Sequence, residues 1–211
     1  MSSIYDEQHR FWQDRHGSRH LADRLEEQMH SEFSDDERSF IEAATMLFIA
    51  TADERGHPTV SYKGGAPNFV RVVGKTEIIF PNYDGNGMFL SLGNINRNKS
   101  VGLLFIDFDR PRRLRIQGDA CVATSRQDLA VFPGADAIVR VTARQIFPNC
   151  GRYIHHSRGM EISKHVPDGN GRQPFPAWKR LDIFKDVISD DDRRRVIASG
   201  GTIDSEHYEG E

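Results

Sequence analysis

An antiparallel β-barrel flanked by helices is the fold class this sequence predicts, on three observations. Short apolar or alternating segments follow one another through Gly- and Asp-bearing turns. No strand–helix–strand alternation of the kind that builds a parallel sheet is present. One segment, VGLLFIDF at 101–108, is nearly continuously apolar and should sit centrally in the sheet. At 211 residues the chain suits one domain. It divides into a helical extension (1–44), a barrel core (45–148) and a loop and helix segment (149–211).

Residues 4–33 read as helical with a break at Gly17-Ser18, and Leu21, Leu25, Met29 and Phe33 are spaced four apart on a face expected to pack on the main body. Ser34 and Glu37 make a capping box ahead of a helix from about Asp35 to Ala44. The period then changes. MLFIATA, the turn 53–56 and TVSYK form one hairpin, and FVRVV, the turn at Gly74-Lys75 and EIIFP form a second. A helix is expected from about Asn86 to Asn96 with Met88, Leu92 and Ile95 inward. After the central strand, RRLRIQGDACVAT sets Leu114 and Ile116 on one face and Arg113 and Arg115 on the other. A short helix at Ser125–Phe132 and a long alternating strand, AIVRVTARQIF, close the core. Beyond it, Pro- and Gly-punctuated coil leads to a helix at Asp190–Ala198 and a mobile end.

Composition narrows function by exclusion. A formal net charge of −3 argues against a nucleic-acid partner, because neutralising phosphates needs a broad basic face. No apolar run approaches the ~20 residues of a spanning helix, so no membrane partner is expected. The N-terminus is polar, and two cysteines, Cys121 and Cys150, are too few for a disulfide framework; a cytoplasmic location follows. No G-x-S-x-G elbow supports a hydrolase. His9, His16, His20 and His30 read as solvated. The set Cys150, His155, His156 and His165 lacks a strong ligand spacing, so no metal site is expected.

The informative stretch is Phe80–Asp119. Its loop, Asn82-Tyr83-Asp84-Gly85-Asn86-Gly87, opens a helix, and Ser91 adds a hydroxyl. By itself D-G-N-G is a turn. What makes it a candidate anion cradle is the cationic strand face close by, where Arg113 and Arg115 could converge on one anion while Arg110 and Arg112 read as a solvated edge. Lys63 ends a strand just before Gly64-Gly65, where missing side chains let a planar ligand approach the backbone. Arg152, Tyr153 and His155 read as a substrate-pocket wall, with a surface loop as the alternative, and Trp178 is placed in the same pocket.

Several motifs are shared, in order and spacing, with a known family: G-H-P at 56–58, S-Y-K-G-G at 61–65, F-P-N-Y-D-G-N at 80–86, S-L-G-N at 91–94, N-K-S-V-G-L-L-F at 98–105 and R-L-R-I-Q-G-D-A at 113–120. Over about residues 40–150 the chain resembles the pyridoxamine 5′-phosphate oxidase-like, FMN-binding split-barrel family. The resemblance implies a six-stranded antiparallel split barrel that forms a homodimer and binds FMN in clefts at the subunit interface. It implies that Ser61, Lys63 and Gly64 line the flavin, and that Asn82, Tyr83, Gly85 and Asn86 hold the ribityl phosphate. Ser91 and Asn94 on the following helix and Arg115 on its strand are implied to face the cofactor as well. The N-terminal helices and segment 149–180 are then additions covering the partner's cleft.

Where the oxidase has a Ser-Arg-Lys phosphate clamp, this chain reads Asn86-Gly87-Met88, and its tail lacks the oxidase's Trp- and Arg-bearing signature. Pyridoxamine phosphate oxidation is therefore doubtful, and Lys63, Arg115 or Arg71 must supply the charge. The expected function is an FMN-dependent oxidoreductase moving a hydride between FMN and a small substrate or NAD(P)H, with no catalytic residue assigned. The alternatives are a flavin, deazaflavin or haem binding or sensing protein without rapid turnover, and a dimer with a vestigial cleft.

Overall fold

The computed structural model describes residues 3–155, 157, 159 and 162–208. His156, weighed above as a metal ligand, and the end of the tail, 209–211, lie outside the described residues. The protein is mainly β: seven antiparallel strands form one sheet in the order β2-β1-β5-β6-β7-β4-β3. They are β1 (Met46–Ala52), β2 (Pro58–Gly64), β3 (Arg71–Val73), β4 (Glu77–Tyr83), β5 (Ser100–Asp107), β6 (Arg112–Ala123) and β7 (Ala135–Asn149). Six α-helices flank them among the described residues: α1 (Glu7–Arg15), α2 (Arg19–Glu27), α3 (Asp35–Ala43), α4 (Leu90–Arg97), α5 (Arg126–Leu129) and α6 (Asp190–Ala198).

The segment-by-segment reading yields the same seven strands. The six implied by the resemblance leave one out, and the extra one is the three-residue β3 at the sheet edge.

The sheet does not close, because β2 and β3 are edge strands with no partner on their outer sides. It is nonetheless curled. Leu47 and Ile49 of β1 share one buried cluster with Phe80 of β4, Phe105 of β5, Ile116 of β6 and Val141 of β7. Alternation supplies that cluster: on β5 the odd residues Val101, Leu103 and Phe105 are buried, and on β6 Leu114 and Ile116. A register shift between Gln117 and Gly118 then bends β6. Gly118 sits there because an added Cβ would run into the Thr142 carbonyl oxygen.

The helices differ from expectation in two places. Leu21 and Leu25 do not pack on the main body: they are 63% and 48% exposed. Helix α2 ends at Glu27, and only the chain beyond it returns to the core, where Phe33 packs. Helices α1 and α2 are instead tied to each other by Arg10 with Asp23 and by Glu26 accepting from the Ile4 N–H. Helix α4 begins at Leu90 rather than near Asn86, so the glycine-bearing loop is longer than the sequence predicts. No helix of the described residues is long and apolar enough to cross a membrane.

Candidate functional site

Strands β2 and β4 are not neighbours in the sheet, yet curling brings their ends together. There the Lys63 ammonium donates to Asn82 Oδ1 at 3.0 Å. Lys63 and Ser61 sit on the inward face of β2, opposite Leu47 and Ile49 of β1. Helix α4 covers the gap, and Ser91 Oγ donates to Ser61 Oγ at 3.0 Å. The result is a cavity of about 340 Å³ walled by β2, the end of β4 and the loop into α4.

This cavity unites most of the sequence-predicted cofactor residues: Ser61, Lys63, Asn82, Tyr83, Gly85, Asn86 and Ser91 all line it. Lys63 is the one Lys or Arg among its described lining residues. Burial depresses its pKa below the ordinary lysine value. One N–H of the ammonium is used by Asn82, which leaves two for an anion.

The loop is shaped for the same task. Asn86 Oδ1 accepts from the Met88 N–H at 3.0 Å, a local turn that sets the approach to α4. Phe89, the N-cap of α4, has φ 48° and ψ 27°, a left-handed conformation rare for a bulky residue, and it makes no side-chain cap. The first intrahelical bond runs from Gly93 N–H to the Phe89 carbonyl. The N–H groups of Leu90, Ser91 and Leu92, all lining residues, therefore have no acceptor within the helix, and the dipole there favours negative charge. Burial pushes the Tyr83 phenol up, with Arg71 partly offsetting it, so Tyr83 is a neutral donor.

The other predicted residues are placed elsewhere. Asn94 lies one turn further along α4 and donates to Thr51 Oγ1 at 3.0 Å, locking α4 onto β1. Gly64 lines a second cavity of about 390 Å³ that shares Tyr62, Tyr83 and Gly85 with the first; Trp178 lines it too. Arg115 is on the outward face of β6, opposite Leu104 and Phe147, and lines neither cavity. Arg113 shares that face, Arg112 pairs with Asp36 at 2.5 Å, and Arg71 stacks on Phe132 with its guanidinium 4.7 Å from the ring centroid. Arg152, Tyr153 and His155 are exposed, Tyr153 at 86%, and line neither cavity.

Sequence reasoning missed Tyr62, Phe89 and Leu90 in the first cavity; Asp84, read as part of the anion loop, and His165, weighed as a metal ligand, line the second. It also missed Lys179, which holds Asp84 from 95 positions away; no local pattern carries such a pairing. Among the described residues no group of three or more His, Cys, Asp or Glu is placed to hold a metal.

The fold and site together are an open antiparallel barrel with a cationic, hydroxyl-lined cavity between a strand end and a helix start. The chain belongs to the pyridoxamine 5′-phosphate oxidase family, whose model matches residues 33–161. That span contains the entire sheet and the first cavity. No curated protein matches the chain.

Solved structures with a similar fold include HupZ from Group A Streptococcus, at 18% identity over 55% of this chain and 93% of that one, with a TM-score of 0.45. The haem storage protein HutZ from Vibrio cholerae is 17% identical over 53% of this chain and 91% of that one, with a TM-score of 0.40. An FAD binding protein from Mycobacterium smegmatis is 17% identical over 57% and 97%, with a TM-score of 0.39.

Proposed function

We propose that the protein is an FMN-dependent oxidoreductase that works as a homodimer. The observation that carries this reading is the donor set of the first cavity: one half-buried lysine, two paired hydroxyls and an uncapped helix start, within the part of the chain that matches the family. These groups fit a phosphate monoester. Lys63, Ser61, Ser91 and the first N–H groups of α4 would hold the FMN phosphate, and Asn82 keeps Lys63 aimed. When bound, FMN supplies a two-electron centre that accepts and returns a hydride, here with NAD(P)H or a small molecule. The neutral Tyr83 phenol, on the wall shared by both cavities, can donate a hydrogen bond to either occupant.

The homodimer rests on the outer face of β2, β1, β5 and β6. Val60 and Tyr62 are exposed there, and Phe48, Leu104 and Ile106 are only half-buried. Register aligns Val60 with Ala50, Tyr62 with Phe48, and Phe48 with Leu104, so these side chains form one apolar surface. A contiguous apolar sheet face is covered in a stable protein. Arg115 stands at its margin, opposite Leu104, so in the proposed homodimer it would lie at the subunit contact.

The absorption spectrum of freshly purified protein tests the reading. A flavin spectrum bleached by NAD(P)H and restored by air supports it. A flavin spectrum indifferent to reductants supports a binding or sensing role instead. Colourless protein that fails to take up added FMN overturns both.

A further inference from the structure

About half of the second cavity's wall comes from the chain beyond the family match. Segment 162–178 contributes Ile162, Val166, Pro174, Pro176 and Trp178, and the barrel contributes Tyr62 and Tyr83. Aromatic and proline faces dominate this wall, and Trp178 is held rigidly in it. Phe184 meets the indole edge-on at 5.5 Å, and the Lys179 ammonium lies 5.9 Å from its centroid.

Lys179 also fixes the charge of the chamber. Its ammonium is bonded to Asp84 Oδ2 at 2.7 Å and to Asp192 at 3.3 Å. Within the Lys179–Asp84 pair the ammonium side is buried, at 9% exposure, while Asp84 at 33% is the member that lines the chamber. Asp136 stands near the same pair; burial, and then the charge of Asp84, push its carboxyl above the ordinary range. Asp84 is the carboxylate among the described residues lining the chamber; His165 lines it too, and no Lys or Arg occurs there.

We propose that this chamber binds uncharged, flat ring compounds and rejects anionic ones, with Asp84 as the residue that sets the discrimination. The proposal rests on the reading of the adjoining cavity as the FMN site, because the shared wall of Tyr62, Tyr83 and Gly85 would then put the bound ring compound beside the flavin. An anion entering the chamber would face the Asp84 carboxylate in a partly desolvated setting, whereas a neutral ring would lose little water and stack on Trp178 or a tyrosine.

The experiment uses full-length protein carrying Trp12→Phe, which leaves Trp178 as the remaining tryptophan. Coumarin and coumarin-3-carboxylate, which share a ring frame and differ by one carboxylate, are titrated against Trp178 fluorescence, with and without FMN. Coumarin is expected to quench saturably and to bind at least about tenfold more tightly than the carboxylate. In Asp84→Asn, which leaves Lys179 paired with Asp192, the two affinities are expected to converge to within about threefold. Equal affinities in the wild-type background, tighter binding of the carboxylate, or no quenching by either probe overturns the inference. Protein that prefers coumarin but does not take up FMN would sink the proposed function while leaving the selectivity of this chamber standing.

Discussion

Lys63 supplies the positive charge of the first cavity, the proposed FMN site, from a position where burial works against that charge. A bound phosphate would reverse the effect, since an adjacent anion favours the ammonium. The sign follows: FMN affinity is full while Lys63 is protonated and falls as pH rises through its depressed pKa. Titrations from neutral pH up through the ordinary lysine value of 10.5 should show that fall in the wild type and a flat, weak response in Lys63→Met, which loses about 1.5–3 kcal/mol of binding at neutral pH. A wild-type affinity constant across the range would remove Lys63 from the phosphate site. Phe89 is the second informative residue. Its left-handed backbone costs a non-glycine residue about 1 kcal/mol, and its side chain is exposed. Phe89→Gly is therefore expected to raise the stability of cofactor-free protein by about that amount in urea unfolding. A lower midpoint would show that the ring makes contacts worth more than the strain.

Helix α3 and the chain before it show how one element is tied down. Glu37 completes the capping box with Ser34 and also receives His30 Nε2 at 3.0 Å, while the His30 backbone bridges to Ile146 of β7. Burial alone would pull His30 down and push Glu37 up; their mutual bonds, with the Gln28 carbonyl and Ser34, outweigh it, so His30 is raised above 6.5 and Glu37 lowered below 4.5. The raised histidine stabilises the fold below its unfolded pKa and loses that effect as pH rises through the folded value. The lowered glutamate stabilises above its unfolded pKa and loses the effect as pH falls. The pair therefore contributes most between the ordinary values of 4.5 and 6.5. Glu37→Gln should cost about 1–2 kcal/mol of unfolding free energy in that window and progressively less on the alkaline side. A cost that is the same at every pH would assign Glu37 a capping role alone.

On the scale of the whole molecule, the apolar outer sheet face and the cofactor cavity are expected to be linked through assembly. Leu104→Asp should yield a monomer in sedimentation and weaken FMN binding, although Leu104 lines no part of the cavity. Arg115→Ala should leave the dimer intact and weaken FMN by at least ~1 kcal/mol. Unchanged affinity in both variants would separate the cofactor site from the subunit contact. Much of this architecture is legible along the chain. A short apolar run set β1, alternation set β2 and the inward faces of β5 and β6, the Ser34 and Glu37 spacing set the start of α3, and the loop 82–87 with Lys63 and Ser91 marked residues that line one cavity. Those features depend on residues a few positions apart, or on motifs long enough to carry a family resemblance. The Lys63–Asn82 bond between the ends of β2 and β4 across the open barrel and the Lys179–Asp84 bond depend on contacts between segments 19 and 95 residues apart. Curling of the sheet decides such contacts, because only packing around the shared core determines which strand ends meet.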